Sequence, residues 1–199
     1  MRKIIGLVLV GIAVLFAVVA MVWTPFDPVH AVPSESLQGS SLTHLMGTDQ
    51  YGRDVLSRVM DGARTTLTVA VASVLLSALI GVPLGVVAGM KRGWTDGLIM
   101  RTNDLLLAFP ALLLAIVFTA VFGGSMWIVV LAIGIAGIPG FARVSRVGAL
   151  QVMAQDYVLS ARVSKVPGFL IAWRHVLPNI ASTLAVQVSV ALALSLIHI

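Results

Sequence analysis

Apolar residues in this chain gather into long charge-free runs and do not alternate with polar ones. No charge falls between Ile4 and Phe26, between Thr65 and Met90, between Leu105 and Ala142, or after Arg174 to the end of the chain. A helix needs about 20 apolar residues to cross a bilayer core of roughly 30 Å. The window from Leu105 to Ala142 is 38 residues long, too long for one crossing, and Gly123-Gly124-Ser125 divides it, since adjacent glycines favour a turn. The pattern therefore predicts five membrane-crossing helices over about 4–23, 66–89, 99–122, 126–142 and 180–199. A barrel is excluded, because its strands would alternate lipid-facing and interior residues over about 10 positions.

Composition sharpens this. Of 199 residues 59% are hydrophobic and 11% charged, with a mean hydropathy of +1.04. A soluble domain carries about 25% charged residues, so a soluble enzyme and a disordered tail are excluded. The absence of cysteine excludes a disulfide scaffold. The first run follows Met1-Arg2-Lys3, but its apolar stretch is longer than the 7–15 residues typical of a cleaved signal, which predicts a retained anchor.

The net charge of +5 gains its meaning from placement. With the N-terminus cytoplasmic, ten basic residues lie inside (Arg2, Lys3, Lys91, Arg92, Arg101, Arg143, Arg146, Arg162, Lys165 and Arg174) and three outside (Arg53, Arg58 and Arg64). That bias orients the chain and makes a nucleic-acid partner unnecessary. Three regions follow: a cytoplasmic start and first helix over 1–23, an outer loop over 24–63, and a core over 64–199 with a cytoplasmic segment at 143–178. Pro25, Pro28 and Pro33 make the outer loop leave the membrane in extended or turn conformations.

Catalytic chemistry is not readable. The chain has no phosphate-cradling glycine loop with its lysine and no G-x-S-x-G elbow. His30, His44, His175 and His198 are too scattered for metal-ligand spacing, so no metal or other cofactor is expected. Asp104, near the start of the third span at its cytoplasmic end, is the one carboxylate that an ion-coupled transporter or channel would use. Arg101, three residues earlier, predicts instead an interfacial pair on one helix face. A self-powered transporter would also show repeated or broken helices; Pro110 predicts a kink in the third span, but no matching half is present.

Two blocks carry a family resemblance. The outer loop reads Met46-Gly47-Thr48-Asp49-Gln50-Tyr51-Gly52-Arg53-Asp54-Val55-Leu56-Ser57-Arg58. It resembles the G-T-D-x-x-G-R-D-x-x-S-R block of the DppC/OppC branch of permease subunits of peptide- and nickel-type ABC importers. The inner segment resembles that family's cytoplasmic EAA motif, E-A-A-x3-G-x9-I-x-L-P. Counting back from Leu177-Pro178 puts the triplet on Leu159-Ser160-Ala161 and the glycine on Lys165, with Asp156-Tyr157 before it and Arg174 near its end. Gly81-Val82-Pro83-Leu84-Gly85 and Leu107-Ala108-Phe109-Pro110 are similar to the same branch.

The resemblance implies an all-α, polytopic bundle of the type I importer kind, in a bacterial inner membrane. It implies a second homologous permease, two ATPase subunits docking on the EAA-like segment, and an extracytoplasmic binding protein meeting the outer loop. Val158, Ala161 and the turn after them would form the docking face, and Arg162, Lys165 and Arg174 would either meet acidic residues on the ATPase or only satisfy the positive-inside rule. Departures are Leu159 for glutamate and Lys165 for glycine; since lysine suits positive φ poorly, Gly168 is expected to shift the turn by three residues. In the outer block, Asp49, Arg53, Asp54 and Arg58 are expected to form a salt-bridged cap around turns at Gly47 and Gly52. The family has a sixth span after Leu194, and Ser195-Leu196-Ile197-His198-Ile199 departs from its pattern. The resemblance thus implies five of six helices and a truncated frame.

Overall fold

In a computed structural model the chain is helical almost throughout. The structure describes the backbone of residues 2–198 and the side chains of residues 4–196. The side chains of the basic start and of the closing Ile197-His198, together with Met1 and Ile199, lie outside the described residues. The helices are α1 (Arg2–Ala20), α2 (Val55–Lys91), α3 (Gly93–Leu107), α4 (Ala111–Phe122), α5 (Met126–Met153), α6 (Asp156–Val163), α7 (Gly168–Ile171) and α8 (Leu177–His198). Among the described residues the nearest approach to a sheet is one isolated bridge, Thr48 with Asp54.

Three helical stretches are long and apolar enough to cross a membrane: Val55–Lys91, Met126–Met153 and Gly168–Leu196. A fourth candidate is the pair α3 and α4, and α1 adds a shorter apolar helix over Ile4–Ala20. The stretch expected to cross at 99–122 is bent, since α3 and α4 meet at 78°. Pro110 is the cause: it has no N–H for the helix ladder and biases Phe109 away from helical backbone. Gly123 then ends α4 at φ +94°, and the Ser125 hydroxyl accepts the Trp127 N–H to start α5.

Helices also extend past the charge-free windows. α2 starts at Val55 because the Asp54 carboxylate accepts the Ser57 N–H at 2.8 Å, an N-cap ahead of the apolar run. α5 continues eleven residues beyond Ala142, through Arg143 and Arg146.

The chain forms two compact units, 1–68 and 69–199. In the second, α2 and α5 approach until a stripe of small residues touches backbone. A Cβ on Gly85 would lie 2.2 Å from the Ala142 carbonyl oxygen, and one on Gly81 2.6 Å from that of Ile138. Close approach through small residues is the usual way helices associate in lipid, where no hydrophobic force separates helix from solvent. Serines add the polar links: Ser77 donates to the Gly134 carbonyl at 2.7 Å, and Ser73 and Ser195 share a hydrogen bond of 3.2 Å.

Asp104 meets Arg143 of α5 at 2.5 Å, and the expected pairing with Arg101 is corrected accordingly. Arg143 reaches Asp104 across the contact of α3 with α5. Asp96 makes a second link, accepting two hydrogen bonds from the Arg146 guanidinium at 2.5 and 2.6 Å.

Candidate functional site

Two sites were expected from sequence, one in each unit. The inner one starts where α5 ends at Met153. Asp156 lies in the first turn of α6 and Arg162 in its last, each matched to the helix dipole at its end. The helix then closes with a Schellman turn. The Val166 N–H donates to the Ala161 carbonyl at 3.0 Å and the Lys165 N–H to the Arg162 carbonyl at 2.9 Å. Such a turn needs a left-handed residue, usually glycine, just past the helix. Lys165 fills that position at φ +58°. The shift to Gly168 does not occur: Gly168 has no positive φ, and begins α7 after Pro167.

From Gly168 the chain runs as one helical stretch into α8. Between Ala172 and Val176 it widens into a π-turn, with the Leu177 N–H bonded to the Ala172 carbonyl. Pro178 explains the widening. It cannot donate to the Arg174 carbonyl, and its ring would crowd that oxygen in a regular helix.

This elbow is tied firmly to the bundle. Val158 of α6, Ile171 of α7 and Val176 of the π-turn are buried in one cluster with Val86 of α2, Ala149, Val152 and Met153 of α5, and Ile180 of α8. Val158 therefore leaves the expected docking face, since with 0% exposure it is the pin that holds α6 inward. Turned outward instead are Tyr157, Leu159, Ser160, Arg162, Val163, Lys165, Phe169, Trp173 and Arg174. Val163 at 84%, Phe169 at 76% and Trp173 at 64% exposure form apolar knobs between cations. Phe169 and Val163 had not been singled out from sequence; their exposure depends on which face of a short helix turns inward.

In the outer loop, Gly47 (φ +73°) and Gly52 (φ +76°) both use the left-handed region. A side chain at Gly52 would also collide with the Val32 carbonyl, 1.8 Å from where its Cβ would lie. Between them Asp49 is the hub. Its carboxylate accepts the backbone N–H groups of Tyr51 (2.8 Å) and Arg53 (3.1 Å), the Arg53 Nε at 2.9 Å, and a close contact from Arg58. Partial desolvation raises its pKa, but the hydrogen bonds and charge from Arg53, with the Tyr51 N–H, outweigh it and bring the carboxyl down to about 2.

Asp54 does not join this arginine set. It is buried, caps α2, accepts the Ser57 hydroxyl at 2.7 Å and meets His44 Nδ1 at 3.0 Å. Burial pushes its pKa up, yet the Ser57 and His44 hydrogen bonds prevail and hold it below the ordinary carboxylate value. Thr48 donates to the Glu35 carbonyl and accepts the Gln38 N–H at 2.9 Å, stitching the loop across the motif. The parts played by His44 and Glu35 had no signal in the sequence; Ser57 stood in the quoted motif, and the spacing Asp54-x-x-Ser57 is a legible helix-start signal.

A match to the family described as binding-protein-dependent transport system inner membrane component covers residues 81–199. The chain belongs to that family. The matched region holds the α2–α5 glycine contacts at Gly81 and Gly85, the elbow and α8. Similar proteins extend the likeness to the outer loop. The chain is 38% identical over 192 residues to the glutathione transport system permease protein GsiD of Pectobacterium atrosepticum, covering 94% of this chain and 64% of that protein. It is 33% identical to the dipeptide transport system permease protein DppC of Alkalihalophilus pseudofirmus, covering 98% of this chain and 64% of the relative. With DppC of Haemophilus influenzae the identity is 32%, over 98% and 68%. The chain thus spans about 64% of the length of the first two of these curated relatives.

Proposed function

We propose that this chain is a membrane-embedded permease subunit of an ABC importer, moving di- or oligopeptides or related small solutes into the cell. It performs no covalent chemistry; separate subunits hydrolyse ATP. The N-terminus lies in the cytoplasm, by the ten-to-three bias of basic residues. The outer loop then faces a substrate-binding protein, the elbow faces two ATPase subunits, and a second homologous permease completes the pathway.

The observation that carries this reading is the elbow. Its Schellman turn falls on the residue that motif spacing assigned to the family glycine, and its outward knobs stand on helices whose inner side is fused to α2, α5 and α8. A push on Phe169 or Val163 would move α6 and α7 as one body and reach three long helices through Val158, Ile171 and Val176. Nucleotide-driven closure of the ATPases would thereby reorient the bundle by rigid-body coupling. Engagement of Asp104 with Arg143 supports a structural role for that carboxylate over an ion-coupling one.

The test is affinity isolation of the full chain from membranes of its host. We expect recovery of an ATPase carrying a Walker motif, lost in Phe169→Glu and Val163→Glu variants that retain normal membrane levels. Isolation without any ATPase overturns the proposal.

A further inference from the structure

We infer that α3 is an interfacial helix that lies along the inner membrane surface and binds anionic lipid headgroups, and does not form the first half of a crossing. The inference rests on the proposed orientation, which places Arg143 and Arg146 on the cytoplasmic side.

The two ion pairs fix its direction. Asp96 and Asp104 are eight residues apart on α3, about 12 Å of helix rise, whereas their partners Arg146 and Arg143 are three apart on α5, about 4.5 Å. The mismatch of separations, with the 78° bend of α3 from α4, which itself packs on α5, points to α3 turning away from the α5 axis. Counted along α5 from Met126, Arg143 and Arg146 lie about 26 and 30 Å down the helix, the far boundary of a hydrocarbon core of roughly 30 Å. That is the depth at which an in-plane helix meets headgroups.

The faces of α3 suit this position. Asp96, Ile99, Met100, Asn103 and Leu106 turn toward the protein, with Asn103 buried. Trp94, Leu98, Leu105 and, beyond the helix end, Phe109 are exposed at helical spacing. Arg101 is exposed within this stripe and Lys91 and Arg92 just ahead of the helix, and among the described residues the three make no ion pair. An apolar stripe with tryptophan at its end and unpaired cations within it and ahead of it, whose long side chains can reach up to headgroups, is complementary to a negatively charged bilayer surface. The cations argue for lipid over a covering protein helix, which would leave them desolvated without a partner.

Because the chain has no cysteine, Leu98→Cys and Leu105→Cys each give a single site for a nitroxide label. The labelled full chain is placed in nanodiscs of phosphatidylcholine with phosphatidylglycerol, and depth is read from collisions with oxygen and with a water-soluble nickel chelate. The two labels should lie at the same shallow depth to within about 3 Å. A spanning α3 would separate them by about 10 Å, and that separation overturns the inference. So does full access of both labels to the chelate, or exclusion of both probes by a covering protein. The variant K91Q/R92Q/R101Q should move both labels toward water in phosphatidylglycerol discs and have no effect in pure phosphatidylcholine; an equal response in both lipids overturns the anionic partner. If a labelled variant does not insert, quenching by lipids brominated near the headgroup reads the same depth at Trp94 in a chain whose Trp23, Trp127 and Trp173 are replaced by phenylalanine. ATPase capture by the elbow is measured separately, so either reading can fail with the other intact.

Discussion

The amide of Val166 reaches back 3.0 Å to the carbonyl of Ala161, and the bond closes because Lys165 between them holds a left-handed backbone. A lysine there carries a steric cost of about 1 kcal/mol that glycine would not. Lys165→Gly should therefore stabilise the elbow by about 1 kcal/mol, while Lys165→Val, with a branched Cβ, should destabilise it by about as much or more. Thermal unfolding of the two variants in detergent, with proteolysis at 164–167 as a local readout, checks the ordering. Equal stabilities would show that the turn opens readily.

Asp49 gives the outer loop an acid limit. Its carboxyl titrates lower in the folded loop, at about 2, than in the unfolded chain, near 3.8. The unfolded state thus binds the proton first, so the contribution of Asp49 is complete above about pH 4 and is lost as pH falls toward 2. Asp49→Asn should flatten this loss and loosen Arg53 and Arg58 at neutral pH. Hydrogen exchange of the Tyr51 and Arg53 amides between pH 5 and 2 measures both effects.

Asp54 should behave as a helix cap. Asp54→Ala removes the acceptor for the Ser57 N–H and should cost about 1–2 kcal/mol, fraying the first turn of α2. Asp54→Asn keeps an acceptor and should cost less. Faster amide exchange at Ser57 and Arg58 in the alanine variant alone is the expected result.

At Gly85 even one methyl group meets backbone. Gly85→Ala should part α2 from α5 at a cost of about 1–3 kcal/mol, and Gly85→Leu should prevent normal insertion or assembly. Gly97→Ala, where a Cβ meets nothing within 4 Å, is the control. Melting temperature and membrane yield of the three variants test this.

Much of the fold was legible because lipid enforces a plain rule, in which charge is kept out of the bilayer core and backbone is paired within each helix. The charge-free windows thus located the apolar centres of α2, α4, α5 and α8. They did not locate the helix ends, since α2 and α5 run on into charged residues once in water. The kink at Pro110 was visible, but the pairing of Asp96 with Arg146, fifty residues away, is encoded by no local spacing. At the elbow, counting from Pro178 placed the turn on Lys165. The identity of that residue argues against positive φ, yet Lys165 adopts it where the closing hydrogen bonds of α6 require it. Val158 was assigned to the wrong face because eight residues of α6 do not define an amphipathic stripe without the cluster they pack against.

The central claim is that the elbow receives motion from a nucleotide-driven partner. Photo-cross-linking residues at Leu159 and Phe169 of the full chain, in native membranes, test it most directly. The account predicts adducts to a Walker-motif ATPase from both positions, with yields that change between nucleotide-free and ATP-trapped states. Adducts to lipid alone, or yields indifferent to nucleotide, would contradict it.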